Sequence, residues 1–233
     1  MTKPTAAELE TLRQWDTPTI CNALELVMPE RRGYGFTVEP FQCLDPSLPP
    51  IVGYARTAKL RATAPAPAAE GKASGNRIPY YQYVASPPGP TIVVIEDVDP
   101  KPGVGAFWGE VHTAVHKGLG ALGVITNGSF RDLPDSAPGF QVLGGMVNPS
   151  HAFVHPVDFA TPVNVHGMAV EHDDIIHADQ HGAIVVPAAA VADIPAAVDV
   201  MVRREGRILE TARADDFDIE KLKKVLAEVQ DIH

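Results

Sequence analysis

The chain has 233 residues, 45% of them hydrophobic and 21% charged, the composition of an ordinary globular protein with enough apolar material for a core. Its formal net charge is −10, from 29 acids against 19 Lys and Arg, and no basic block reverses that sign locally. Such a surface repels phosphate backbones and argues against a nucleic-acid partner. Lys221, Lys223 and Lys224 read as the solvated face of a terminal helix. Cys21 and Cys43 form neither a CxxC pair nor a disulfide framework. No apolar run reaches the ~20 residues needed to cross a bilayer, and the first residues lack the apolar stretch of a secretory signal. A cytoplasmic protein without a membrane partner is expected.

In chain order, residues 6–28 read as two helices, the first from Ala6 to Trp15. The second starts at Asp16-Thr17-Pro18, with Thr17 as cap and Pro18 at the first helical position, where its missing N–H costs nothing. Residues 29–50 are Pro-, Gly- and Arg-rich and suggest an irregular crossing. Ile51–Leu60 alternates like a half-buried strand. Residues 63–77 have few large apolar groups and read as a mobile loop. A helical piece around Tyr80–Val84 ends at Pro87-Pro88.

Thr91–Ile95 is a continuous apolar run, the mark of a strand buried on both faces. The glycine loop Pro102-Gly103-Val104-Gly105 then leads to Gly109-Glu110. A helix follows, with Val111, Ala114, Val115 and Leu119 at helical spacing. Leu122–Thr126 reads as a second buried strand, and Asn127-Gly128 as a turn into Ser129-Phe130-Arg131-Asp132. In a strand–helix–strand unit the loops after both strands and the helix start share one sheet edge. Gly103–Gly105, Glu110, Arg131 and Asp132 are therefore expected to converge. Val163–Val165, Ile175–Ile176 and Ala183–Val186 read as short strands, and residues from about 188 to 230 as C-terminal helices. No repeat or domain boundary is evident, so one domain over 1–233 is expected.

Glu110 and Arg131 are separated by twenty residues, with Asp132 next and Asp135 two residues beyond. This spacing resembles the signature of the RraA-like family, which includes 4-hydroxy-4-methyl-2-oxoglutarate aldolases and the regulator of ribonuclease E activity A. Trp15-Asp16-Thr17-Pro18-Thr19, Phe107-Trp108-Gly109-Glu110 and Ala178–Pro187 are similar to three further family segments. Asn127 and His181 stand where the family often has Asp, and His172-Asp173-Asp174 where Pro-Gly-Asp is usual. As these departures are expected to flank the site, they bear on substrate identity.

The resemblance implies an α/β fold of the swivelling β/β/α layered type and a metal-dependent aldolase or decarboxylase acting on a small 2-oxo acid. It implies Asp132 as the ligand of Mg²⁺ or Mn²⁺ and Glu110 as acting on a water used in proton transfer. It also implies a homotrimer or hexamer, with Glu205 reaching the neighbour's metal through water. The chemistry suits these residue types. C–C cleavage beside a 2-oxo acid leaves an enolate, which a divalent cation and the fixed fork of Arg131 stabilise. Backbone N–H groups of Gly103, Val104, Gly105, Ala106 and Phe107 offer a cradle for the substrate carboxylate.

Each reading has a rival. Arg131-Asp132 could merely close a turn, Glu110 could complement the helix dipole, and Asp135 could be a turn residue before Pro138. His112 and His116 have the i, i+4 spacing of a zinc site without the glutamate of HExxH. Lys59 is the one strand lysine for a Schiff-base aldolase, and alternation turns it to solvent. Gly103 and Gly105 lack the third glycine of a dinucleotide loop, which leaves a methyltransferase unsupported. The rival of another class is a non-catalytic protein that regulates a ribonuclease or other partner.

Overall fold

In the computed structural model, residues 3–66 and 77–232 are described. The loop expected over 63–77 thus lies, from 67 to 76, outside the described residues. Two helices open the chain, α1 (Ala6–Leu12) and α2 (Thr17–Val27). Thr5 and Glu8 cap α1 reciprocally. The cap of α2 is Asp16, which is extended and accepts from the Thr19 N–H, so the expected Thr17 cap is corrected by one residue. Thr17 is drawn elsewhere: its N–H donates to Asp179 (2.8 Å) and its hydroxyl pairs with His177 (3.0 Å).

A mixed sheet carries β1 (Gln42–Cys43), β2 (Ile51–Arg61), β3 (Thr91–Asp97), β4 (Ala106–Trp108), β5 (Ala121–Phe130), β6 (Gln141–Val147), β7 (His155–Phe159), β10 (Ile175–Asp179) and β11 (Gly182–Val186). Its order is β1-β6-β5-β3-β2-β10-β11, with β4 added on β5 and β7 on β2. The neighbours β2, β3, β5 and β6 are parallel, so their C-terminal ends share one edge. A two-stranded ribbon, β8 (Val163–Val165) and β9 (Met168–Val170), lies apart.

The side chains of β3 explain the layering. Ile92 and Val94 join a core with Ile125, Leu143 and the ribbon's Val165 and Met168, while Val93 and Ile95 join Tyr80, Trp108 and Phe140 on the other face. Both faces are covered, so the apolar run is continuous. The same cause corrects β2: it is buried from Ile51 to Ala58 rather than alternating, because it sits mid-sheet. A third core packs α1 and α2 on β10, β11 and the long C-terminal helix α5 (Ile194–Ala212). Helix α6 (Ile219–Glu228) lies on α5. Two shorter helices, α3 (Arg77–Val84) and α4 (Glu110–Gly118), complete the fold. No described helix is long and apolar enough to cross a membrane.

Helix α4 corrects a further expectation. Its buried residues are Thr113 and His116, while Val111 (68% exposed) and Ala114 face solvent, so of the expected apolar stripe only its end, Leu119, packs on the core. Asn127-Gly128 is not a turn either, since β5 runs through it. There β5 has two residues where β6 has one, a bulge between Thr126 and Ser129. Gly145 of β6 lacks a Cβ where Asn127 O would stand 2.3 Å away, and so admits the bulge.

Candidate active site

The strand–helix–strand unit brings Glu110, Arg131 and Asp132 together at the C-terminal edge of the parallel strands. The Arg131 N–H donates to Trp108 O (2.9 Å), continuing the β4–β5 ladder to the first residue past the strand. Asp132 turns into the left-handed region (φ 54°, ψ 46°), a strained setting that Asp tolerates better than most residues. Its carbonyl accepts from the Asp135 N–H (3.0 Å) and the Ser136 hydroxyl (3.1 Å), which locks the turn. Asp135 therefore serves the turn through its backbone while its side chain is exposed.

The Asp132 carboxylate faces back to the helix start. Its Oδ2 accepts from the Glu110 N–H (3.2 Å), one of the unpaired donors of α4's first turn. A Cβ on Gly109 would lie 2.4 Å from that oxygen, so only glycine permits the approach. Arg131 Nε stands 3.5 Å from the same oxygen, in ion-pair range, yet it is shielded from water and makes no hydrogen bond. The Arg131 and Asp132 side chains remain 35% and 37% exposed, and Glu110 is exposed. An open arginine and two carboxylates on one edge suit a small anionic ligand that brings its own polar atoms.

The glycine loop is held from behind. Asp97, at the end of β3, accepts from the N–H groups of Gly103 (2.7 Å) and Asp99 (3.1 Å), and burial pushes its carboxyl upward against those bonds. Asn148 donates to the carbonyls of Gly103 and Val104, and the Ala106 N–H donates to Ser150 O. The expected five-residue N–H cradle is thus corrected. Gly103 and Ala106 have spent their N–H groups on the fold, and Phe107 is a buried strand residue. No described residue accepts from the N–H of Val104 or Gly105.

Asn127 fixes Asp97 in turn. Its Oδ1 accepts from the Asp97 N–H (2.7 Å) and its Nδ2 donates to Asp97 O (3.1 Å), so the side chain extends the β3–β5 pairing past its last register pair, Ile95–Thr126. An aspartate there could make only the first bond. Sequence reading left the role of Asn127 open, and the one signal was the amide itself beside a glycine. The other departures lie away from the edge: His181 is in the β10–β11 turn against Asp179, and His172 is on Tyr83. Their expected place beside the site is therefore corrected within this chain.

Behind the site, His116 is fully buried, with Nδ1 on His112 O (2.6 Å) and Nε2 on the Tyr80 hydroxyl (2.9 Å). The carbonyl can only accept, so Nδ1 carries the proton. His112 lies on the Phe107 ring, centroids 4.0 Å apart, with Tyr81 OH 3.4 Å from Nδ1. Burial pushes His116 down to about 4; burial, His116, Arg77 and Arg131 push His112 down to about 3. Both rings are neutral core partners of tyrosines. Among the described residues no three His, Cys, Asp or Glu side chains cluster as a metal cage. Lys59 is half-buried on β2, opposite Glu96. Glu205 is exposed on α5, in the layer that packs on α2 and α6, and within one chain is not brought to Arg131.

The RraA-like family model, described as Aldolase/RraA, matches residues 17–185. The chain belongs to the RraA-like family. Solved structures agree on the fold. An uncharacterized protein from Pseudomonas syringae pv. tomato is similar with TM-score 0.69 and 17% identity, over 96% of this chain and 100% of that one. A structure described as novel cellulases from microbes associated with the gut ecosystem gives 0.72 and 17%, over 89% of each chain. Streptomyces coelicolor RraAS2, described as an unusual member of the RNase ES inhibitor RraA protein family, gives 0.68 and 21%, over 88% of this chain and 97% of that one. No curated protein matches the sequence. The layered α/β architecture implied by the family resemblance is the one observed.

Proposed function

We propose that this RraA-like chain is a divalent-metal-dependent lyase that cleaves a C–C bond of a small 2-oxo acid, such as a 4-hydroxy-2-oxo acid or oxaloacetate, and releases pyruvate. The observation that carries this reading is Arg131 and Asp132 at an open sheet edge, with Glu110 beside them and Arg131 Nε unpaired. The donor set fits Mg²⁺ or Mn²⁺. Asp132 has one oxygen engaged by the Glu110 N–H and the other without a protein donor, and Mg²⁺ takes few carboxylates and keeps several waters. Asp132 would hold the ion, which supplies Lewis-acid polarisation of the substrate's keto group.

The chain's own groups divide the remaining work. The N–H groups of Val104 and Gly105, which have no acceptor among the described residues, bind the substrate carboxylate, and the Arg131 fork meets the oxyanion that develops at C2. In a 4-hydroxy substrate the hydroxyl proton leaves to water at Glu110 and the C3–C4 bond breaks. C4 departs as a carbonyl and the electron pair passes into the enolate. In oxaloacetate the same bond breaks with loss of CO₂. Return of a proton to C3 gives pyruvate in both cases.

The site is further proposed to be completed in a homotrimer or hexamer by Glu205 of a neighbour. The exposed Val111, Leu133, Met146 and Val147 around the edge support a covering surface. The test is pyruvate release across 4-hydroxy-2-oxo acids and oxaloacetate. Activity is expected to vanish with chelator, to return with Mg²⁺ or Mn²⁺, and to survive borohydride added with substrate. Inactivation by borohydride at Lys59 with chelator harmless would overturn the mechanism. Absent turnover together with a stoichiometric ribonuclease partner would favour the second reading, a regulatory protein, which the likeness to RraAS2 supports.

A further inference from the structure

A cavity of about 150 Å³ opens between α2, the turn over 29–36 and β11, on the far side of the sheet from Arg131. Four strand steps separate β5 from β11, roughly 19 Å at ~4.8 Å each. Leu24, Phe36 and Ile184 form its apolar wall, and Arg31, Arg32 and Glu25 its polar side. A dry cavity near this volume holds one benzene ring in an engineered protein.

Arg31 is unusual among these groups. Arg32 is neutralised by Glu25 (2.9 Å), but among the described residues no carboxylate pairs with Arg31. Its guanidinium meets only the Val185 carbonyl (3.3 Å) and the Tyr34 ring (5.0 Å), and its Nε is shielded from water without a partner. Gly35 makes room for it: at φ +91° it has no Cβ, and one added would lie 2.3 Å from Arg31 Nη2. The backbone bonds from Val185 N to Gly35 O and from Thr37 N to Ala183 O pin that turn to β11. The sequence thus holds a planar cation with no ion-pair partner among the described residues against a compact apolar cavity, with Asp174 near enough to sense its charge.

We propose that this cavity binds a small organic carboxylate with a compact apolar body, separately from the candidate lyase site. The planar fork of arginine matches a carboxylate, and the apolar wall takes the body that inorganic phosphate lacks.

Cys21 lines the cavity and reports on it. Burial, with nearby carboxylates, pushes its thiol up to about 11, so alkylation by iodoacetamide is run in alkaline buffer and mapped to Cys21 by mass. Benzoate is the probe, added to the full chain, with benzyl alcohol and inorganic phosphate as comparators. Benzoate is expected to slow Cys21 alkylation saturably by about fivefold or more, while neither comparator does. Arg31→Met should abolish the protection, and so should Leu24→Trp, which fills the cavity and leaves Arg31 in place. Arg131→Ala should keep it. The proposal is overturned if tens of millimolar benzoate give no protection or if benzyl alcohol protects equally. It is also overturned if protection survives in both cavity variants, or is lost in Arg131→Ala.

Discussion

Two arginine–aspartate pairs in this chain have opposite surroundings. Arg56 is fully buried on β2 and bonds Asp173 (2.6 Å), with Nη2 donating also to the carbonyls of Ser86 (2.6 Å) and Pro88 (2.7 Å). Asp173 is shared with Lys3 and sits near His172. Arg131 and Asp132 are adjacent in sequence, about one-third exposed, 3.5 Å apart and without a hydrogen bond between them. In the first pair both Nη groups of Arg56 are used by its own protein and tie β2 to the loops before β3 and β10, although its Nε, like that of Arg131, has no partner. The second is left with capacity to spare, as groups awaiting a ligand are. Residue type alone does not separate structure from function, whereas the fraction of donors already used does.

The comparison breaks most visibly at Asp173. Asp173→Asn keeps the left-handed backbone (φ 66°) that Asn also tolerates but leaves the buried guanidinium uncompensated. A loss of about 3 kcal/mol is expected, the low end for a broken buried pair because the carbonyls of Ala55, Ser86 and Pro88 still share the charge. Urea midpoints measure it, and turnover of the folded fraction should stay near wild type. At the open pair the outcome inverts. Arg131→Lys should lower kcat by roughly 10²-fold, as for a lost oxyanion donor, while stability stays within about 0.5 kcal/mol. Near-normal turnover would make Arg131 a structural residue like Arg56.

Asn127 sharpens the contrast, because it is a saturated group that supports the unsaturated ones. Asn127→Asp removes the donor to Asp97 O and sets a carboxylate against that carbonyl. About 1 to 2 kcal/mol of stability should be lost, read from the urea midpoint. An unchanged midpoint would mean that the amide pair at the bulge is dispensable. The smallest effect tests whether the open pair is completed by a neighbour. Arg131→Ala and Glu205→Ala should each be nearly inactive. Co-expressed, they should recover about a quarter of wild-type activity, since about one site in four takes both intact groups in a head-to-tail ring. Mixed rings as inactive as their parents, or a fully active Glu205→Ala, would remove Glu205 from the site.

The strand–helix–strand unit and the meeting of Glu110, Arg131 and Asp132 were legible in the sequence. A continuous apolar run, a glycine loop and a right-handed crossover leave few ways to fold. Family membership was legible as well, from ordered short segments rather than from any single residue. Other features depended on partners distant in the chain. Asp179, 162 residues after Thr17, accepts from the Thr17 N–H while Asp16 takes the cap, and burial on both faces hides the alternation of β2. The buried face of α4 is Thr113 and His116 because Tyr80, from α3, supplies the hydroxyl that makes a histidine acceptable there. Asn127 looked like a turn residue because its bonds to Asp97 cross thirty positions. Periodicity reports which side chains share a face, but it does not report what that face meets. Whether a polar group is saturated or left open is decided by contacts that only the tertiary structure assembles.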